Sequence, residues 1–298
     1  MKGQLEKRVA IIVLNWNGLV DTLECLSSLA RLTYEHHKVF VVDNSSDEDL
    51  TPIGHLFPDA ILIRNPENYG YAKGNNIGIE TAAELGYEYC WILNNDTAVA
   101  TKSLNHLVDA LEKDKNLAAV TNLIAFYDHR ELAWFAGGVF VRGLPAHRGY
   151  YQNIKTLGVS DHTDYLSGCS FLARTKALKE LNGFDELYFC YVEDVDLSLR
   201  MRERGWRIKY LSDATVWHKV SKSTGTLSPI KFYYKRRNML YFYRQHRFPA
   251  STVARYWFSS IRSMASVTLK HRKPRVAWYI LRALIDASLG HMGKSRYF

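Results

Sequence analysis

The chain of 298 residues is poor in the features that mark several common classes of protein. Its four cysteines, Cys25, Cys90, Cys169 and Cys190, form no CxxC pair, and three lie in apolar contexts. That argues against a disulfide framework or a zinc site and reads as buried thiols of a reducing compartment. Long apolar runs are missing too. The apolar stretch 9–14 is too short for the core of a secretory signal. Nothing approaches the uncharged apolar length of about 18 residues that a spanning helix needs. No segment repeats at a period of about 20–50 residues, and there is no low-complexity tract.

Acidic residues are scarce at one end. Residues 1–218 hold 22 Lys/Arg against 29 Asp/Glu, whereas residues 219–298 hold 17 against one, Asp286, within an overall charge of +9. So abrupt a shift marks a functional boundary, with the chemistry in the acidic part and something anionic meeting the basic part. The length allows one or two cores. The expected division is a catalytic domain over 1–225 and a basic helical region over 226–298.

Apolar runs at 8–15, 39–43, 60–64, 89–93 and 117–124 alternate with helical spacing at 20–29, 72–85 and 104–111. This predicts an α/β fold with a mostly parallel central sheet and helices on both faces. Past residue 125 the alternation breaks. Residues 132–141 read as irregular β structure kinked at Gly137-Gly138, and 165–173 as a strand interrupted by Gly168. A short helix at 175–181 is stopped by Asn182-Gly183. A helix at 194–204 ends at Gly205, and brief strands follow at 206–211 and 214–218. After Ser228-Pro229 the pattern predicts a helix to about residue 247, then helices over 252–269 and 276–289.

Two acidic sites stand out. Asp96 closes the run Tyr89-Cys90-Trp91-Ile92-Leu93-Asn94-Asn95-Asp96, at the strand end where open α/β sheets bind ligands. Glu193-Asp194 opens an amphipathic helix, whose dipole is expected to keep both carboxylates ionised. One site suits a cation and the other a proton, which together point to metal-assisted transfer.

Asn15-Trp16-Asn17-Gly18 and Asp43-Asn44-Ser45-Ser46 follow the first two strands on the same edge, either to read a nucleobase and sugar or as ordinary polar turns. No G-x-G-x-x-G follows the first strand, which disfavours a dinucleotide site, and a Walker A loop is disfavoured likewise. Residues 65–78 are rich in polar residues and glycine. Gly74 and Gly78 each cost a helix about 1 kcal/mol relative to Ala, which predicts a ligand wall, with packing on the sheet as the plainer alternative.

Asn15-Trp16-Asn17-Gly18, Val42-Asp43-Asn44-Ser45, Asn68-Tyr69-Gly70 with Asn75-Asn76-Ile77-Gly78, and Leu93-Asn94-Asn95-Asp96 resemble the ordered motifs of family 2 glycosyltransferases with the GT-A fold. Gly183-Phe184-Asp185-Glu186, Tyr191-Val192-Glu193-Asp194-Val195-Asp196-Leu197 and Trp217-His218 extend the resemblance in order. It covers roughly residues 8–245 and is nearest to the rhamnosyltransferase-like enzymes of bacterial cell-surface polysaccharide synthesis.

The resemblance implies a Rossmann-like GT-A domain and an inverting transfer from a nucleotide-diphospho-sugar, dTDP-rhamnose first and UDP-sugars second. The acceptor would be a hydroxyl of a saccharide or lipid-linked saccharide. Asp96 matches the last acidic position of the D-x-D motif that holds Mg²⁺ or Mn²⁺, although Asn94 and Asn95 replace its earlier acids. His218 matches a further metal ligand, and Asp194 the general base. Glu193, Trp134 and Gly168 would line the acceptor side. Trp134 and Tyr165 are equally readable as core aromatics. Asn15, Asn17, Asp43, Asn44, Lys73, Asn75 and Asn95 would form the nucleotide side. Asp196 lies about 200° around the helix from Asp194 and is expected to be structural. Lys219, Lys222 and Ser223 open a polar stretch that is either a lid on the diphosphate or a solvated linker.

In the basic region, Val253, Trp257, Ile261, Met264 and Thr268 form one stripe, with Arg255, Ser259, Arg262, Ser266 and Lys270 around it. Such a helix suits an anionic membrane surface and predicts a cytoplasmic protein held peripherally at the membrane. Nucleic acid is the disfavoured partner, and packing on the catalytic domain the plain alternative. A transferase-like fold that binds without turnover is the rival from another class.

Overall fold

Strand β1 (Val9–Asn15) is apolar up to its last residue, and its side chains alternate between two cores. Val9, Ile11 and Val13 face α1 (Leu19–Leu29), while Ala10 and Ile12 face the opposite side. The computed structural model describes residues 7–158, 160–220 and 228–298. Parallel pairing places β2 (His37–Asp43) on one side of β1 and, after the short helix α2 (Thr51–Leu56), β3 (Ile61–Arg64) beyond β2. Helix α3 (Gly70–Glu84) then leads to β4 (Tyr89–Asn94), parallel to β1 on its other side.

The chain continues through β5 (Thr97–Val99), α4 (Ser103–Lys113) and β6 (Leu117–Phe126), then three short strands, β7 (Ala133–Phe135), β8 (Gly138–Val141) and β9 (Leu144–His147). Next come β10 (Ser170–Arg174), α5 (Thr175–Glu180), α6 (Glu193–Glu203) and β11 (Arg207–His218). The nine-stranded sheet runs β3-β2-β1-β4-β10-β6-β11-β5, with β7 added to β6. Strands β1, β2, β3, β4, β6 and β11 share one direction, and β5, β7 and β10 oppose it. Helices α1 and α4 cover one face, and α3, α5 and α6 the other. The mostly parallel α/β fold expected from the sequence is present.

Several local expectations change. The strand expected over 165–173 begins only at Ser170, because the residues before it turn at Ser167 and the Gly168 N–H is taken by a side chain. The two brief strands at 206–211 and 214–218 are one strand, β11, with a register break between Leu211 and Thr215. Gly74 and Gly78 do not form a ligand wall. A Cβ at Gly74 would come within 2.5 Å of Leu14, and one at Gly78 within 2.6 Å of Ile12, so these glycines let α3 settle on β1.

Helices α7 (Pro229–Gln245), α8 (Ala250–Leu269) and α9 (Pro274–Leu289) follow. Helix α7 buries Tyr233, Tyr234, Arg237, Asn238 and Phe242, and α9 packs along it. The stripe expected on α8 is displaced. Its buried face is Thr252, Tyr256, Ser260 and Val267, and Val253, Trp257 and Met264 are half-buried beside it. The outward face presents Phe258, Ile261 and Leu269, and α9 exposes Trp278, Leu281, Ile285 and Leu289. Among the described residues no helix is long and apolar enough to cross a membrane.

Candidate active site

The carboxyl ends of β1, β2 and β4 come together as a polar network. Asn15 is fully buried, and its Nδ2 donates to Asp43 Oδ1 (2.9 Å) and Ser46 Oγ (3.1 Å). Thr22 Oγ1 donates back to Asn15 Oδ1 at 2.8 Å, and Asn95 Nδ2 reaches Thr22 Oγ1 at 3.0 Å. Asn44 Nδ2 donates to the Gly70 carbonyl (2.9 Å), and its Oδ1 accepts from Asn65 (2.8 Å). Asn15, Asp43, Asn44 and Asn95 therefore build the floor of the edge. Trp16 and Asn17 stand exposed above it, with Asn17 at φ 48° and its Oδ1 accepting from Asp47 N–H. The Lys73 ammonium sits 4.2 Å from the Tyr69 ring centroid. Asn75 donates to the Tyr71 carbonyl and leaves its buried Oδ1 without a partner. Arg64, which the sequence did not single out, brings Nε to 3.5 Å from Asp43 Oδ2.

Asp96 and His218 meet because β5 pairs with β11, placing Thr97 opposite His218. Asp96 Oδ1 lies 3.1 Å from His218 Nε2, and Trp134 stands edge-on to the imidazole at 4.8 Å. Burial disfavours charge on both groups, and their mutual attraction opposes it. His218 lies well above its usual range, with Cys169 also contributing, and Asp96 lies below its own. The 3.1 Å spacing is that of a direct ion pair, which a cation would have to open by displacing the proton from Nε2, and the buried Nδ1 of His218 has no hydrogen-bond partner. Among the described residues no third acidic, cysteine or histidine side chain completes a cage. Lys219 turns from the site to bind Asp21 and Glu24 on α1, and Lys222 and Ser223 lie outside the described residues.

The second acidic site sits at the head of α6. Asp194 Oδ2 accepts from Gly168 N–H (2.7 Å) and Oδ1 from Val195 N–H (2.8 Å), while the Tyr71 hydroxyl binds the Gly168 carbonyl. Glu193 is 5% exposed, and its Oε2 has no hydrogen-bond partner. Burial, reinforced by Asp194, pushes Glu193 well above the carboxylate range. Asp194 is also raised by burial, with the Gly168 and Val195 N–H groups working the other way. Both shifts run against the helix dipole that was expected to keep the pair ionised, because burial beside a second carboxylate disfavours charge. The two N–H donors favour the ionised form of Asp194, whereas Glu193 Oε2 has no donor to offset its burial. Asp196 is structural as expected, bound to Arg200 (2.6 Å), Tyr188 (3.1 Å) and His246 (2.9 Å).

Two groups near this cleft were missed. Lys235, read as part of the basic tail, places its ammonium 5.4 Å from the Tyr191 ring centroid and acts on both Glu193 and Asp194. His147 Nδ1 donates to the Trp134 carbonyl (3.1 Å), and burial pushes its imidazole down to about 4, so it is neutral. Neither lies in a recognisable spacing. Tyr165 is a core residue, 3% exposed, whereas Trp134 is half-buried against His218 and His147.

The sequence pattern described as Glycosyltransferase like family 2 matches residues 7–240. The chain belongs to glycosyltransferase family 2. It is 30% identical over 224 residues to the N-acetylglucosaminyl-diphospho-decaprenol L-rhamnosyltransferase of Mycobacterium tuberculosis, covering 67% of this chain and 72% of that protein. It is 25% identical over 210 residues to the O-antigen chain rhamnosyltransferase WbaN of Salmonella anatum, covering 70% and 65%. The mannosyltransferase PcManGT of Pyrobaculum calidifontis, solved with GDP-Man and Mn²⁺, superposes over 96% of this chain and 89% of its own, with a TM-score of 0.62 at 15% identity. That likeness establishes the GT-A fold. The protein is a glycosyltransferase with rhamnosyltransferase relatives, and the rival reading of a binding protein without turnover is set aside.

Proposed function

We propose that the protein is an inverting, metal-dependent rhamnosyltransferase that uses dTDP-rhamnose and a lipid-linked saccharide acceptor. The observation that carries this reading is the arrangement of Asp194, half-buried and aimed by the Gly168 N–H, with a buried Glu193 whose Oε2 has no partner beside it. Asp194 takes the proton of the acceptor hydroxyl as its oxygen bonds to the anomeric carbon. The bond from that carbon to the diphosphate oxygen breaks on the opposite face, and the nucleoside diphosphate leaves with the electron pair. Glu193 offers its O–H to an acceptor oxygen, and Trp134 and Gly168 border the same side. Asn17 and Lys73 meet the nucleotide over the floor built by Asn15, Asp43, Asn44, Asn75 and Asn95.

Asp96 and His218 would hold Mg²⁺ or Mn²⁺, whose Lewis acidity stabilises charge on the departing diphosphate. The donor and acceptor rest on the relatives, one of which is named for N-acetylglucosaminyl-diphospho-decaprenol. A peripheral membrane seat fits such an acceptor. The exposed apolar residues of α8 and α9 are set in a region with 17 basic residues and one acidic residue. The division at 225/226 is kept as a change of role, although α7 reaches the cleft through Lys235.

Purified full-length protein given dTDP-rhamnose and a lipid-diphosphate saccharide tests this reading. Product of inverted anomeric configuration is expected with Mn²⁺ or Mg²⁺ and none with EDTA. Equal turnover in EDTA overturns the metal assignment, and preference for UDP-sugars overturns the donor.

A further inference from the structure

The turn that delivers Glu193 and Asp194 has an unusual backbone. Phe189, Tyr191 and Val192 have φ of 62°, 68° and 79°, values that side-chain-bearing residues rarely adopt and a β-branched valine least of all. Such a turn persists only where its surroundings over-determine it. One side is gripped by α3. Ala72 N–H donates to the Phe189 carbonyl (3.1 Å), and a Cβ on Gly70 would come within 2.5 Å of that carbonyl and of the Phe189 ring.

The other side is gripped by α7. Asn238 is fully buried, and its Nδ2 lies 2.8 Å from each of the carbonyl oxygens of Tyr188, Cys190 and Tyr191. An amide has two N–H donors, so three carbonyls share them, and no other uncharged side chain of this size presents a pair. Arg237 fixes the amide's orientation by donating from Nε to Asn238 Oδ1 (3.0 Å). Its Nη2 adds a bond to the Tyr188 carbonyl (3.3 Å) and its Nη1 one to the Gly293 carbonyl (2.8 Å). The carbonyls turned inward by the positive φ values are thus the ones the amide collects.

We propose that Asn238 is a positioning residue. Its amide locks the turn 188–192 so that Asp194 emerges against the Gly168 N–H, which makes the helix after residue 226 part of the catalytic apparatus. This inference rests on Asp194 being the base. The Asn238 side chain is fully buried against the turn, and its effect is carried by the geometry of that turn.

The test uses full-length N238A, N238S and N238D, with D194N in parallel, measuring kcat, nucleotide affinity by titration calorimetry and the pH profile of kcat. N238A is expected to lower kcat at least tenfold with nucleotide affinity held within twofold. It should also displace the acid limb of the profile, because the Gly168 bond to Asp194 is lost. N238S, which keeps one donor, should recover part of kcat. N238D has the shape of asparagine but turns acceptors toward three carbonyls, so it should fall below N238A. The proposal is overturned if N238D outperforms N238A, since shape would then be what matters. Unchanged kcat and pH profile in N238A also overturn it, as does parallel loss of kcat and nucleotide affinity across the series. If D194N keeps its turnover, the base assignment itself fails; if D194N is inactive and N238A is not, only the positioning role fails.

Discussion

Gly168 and Asp194 are joined by a backbone N–H···Oδ2 bond of 2.7 Å, so the loop entering β10 aims a carboxylate carried by α6. One oxygen is fixed, and the other is held by Val195 N–H at the helix start. A carboxylate oriented by two backbone donors does not depend on a flexible side-chain partner.

Asp194→Asn should keep the amide oxygen near Gly168 but cannot take a proton. Steady-state kinetics should show kcat lower by roughly 10²–10⁴, the usual worth of a general base, with nucleotide affinity unchanged. Collapse of affinity together with turnover would assign Asp194 a structural role instead.

Asp96→Ala should abolish the metal-dependent part of nucleotide binding, and His218→Ala should weaken it less. Titration of dTDP with and without Mn²⁺ checks this. Equal affinity of the unmodified protein in both conditions would remove the metal from the account.

Glu193 binds its proton more tightly in the folded chain than in the unfolded one, because burial and Asp194 raise its pKa. Its contribution to stability is therefore complete below the ordinary carboxylate range and is lost as pH rises toward the raised folded value. Glu193→Gln should raise the thermal midpoint at neutral pH by about 2–4 °C, roughly 1 kcal/mol. The gain should vanish near pH 4, just below the ordinary glutamate value. Thermal scans across pH decide, and a gain independent of pH would contradict the shift.

Replacing Arg255, Arg262 and Lys270 with Glu should abolish adsorption to anionic vesicles, and Phe258→Ser with Ile261→Ser should weaken it, without changing turnover of a soluble acceptor. Adsorption should also fade as salt rises, since exposed charges are screened over about 8 Å near physiological ionic strength. Co-sedimentation indifferent to lipid charge would leave α8 as a solvated face, and binding to oligonucleotides alone would favour nucleic acid.

The first half of the fold was legible because the central strands β1 and β4 are buried and apolar and end on Asn15 and Asn94. Asp96, His218, Glu193 and Asp194 were singled out from a strand end, a helix start and a family resemblance, and the structure brings them together as two pairs. What escaped has a physical reason. Strand β10 runs against its neighbours β4 and β6, and nothing in Ser170–Arg174 encodes direction. The β8–β9 hairpin turns at Arg142-Gly143, both at positive φ, without the Asn-Gly or Asp-Gly pair that usually signals such a turn. Lys235 and Asn238 sit in a run of basic and aromatic residues whose pattern reports charge and helicity, while their roles depend on a turn some 45 residues earlier, a separation fixed only by the fold.

The register break in β11 has a consequence for how this enzyme can be altered. Residues 212–214 have no partner on β6, and Ser212 and Asp213 are exposed there. Just beyond, Ser103 Oγ donates to the Thr215 carbonyl (2.8 Å) and accepts from its N–H (3.0 Å), and the ladder then runs unbroken from Thr215 to His218. The kink acts as a slack joint followed by a pin. A reporter peptide spliced between Ser212 and Asp213 would be taken up as a loop, leaving the spacing of His218 from Asp96 untouched.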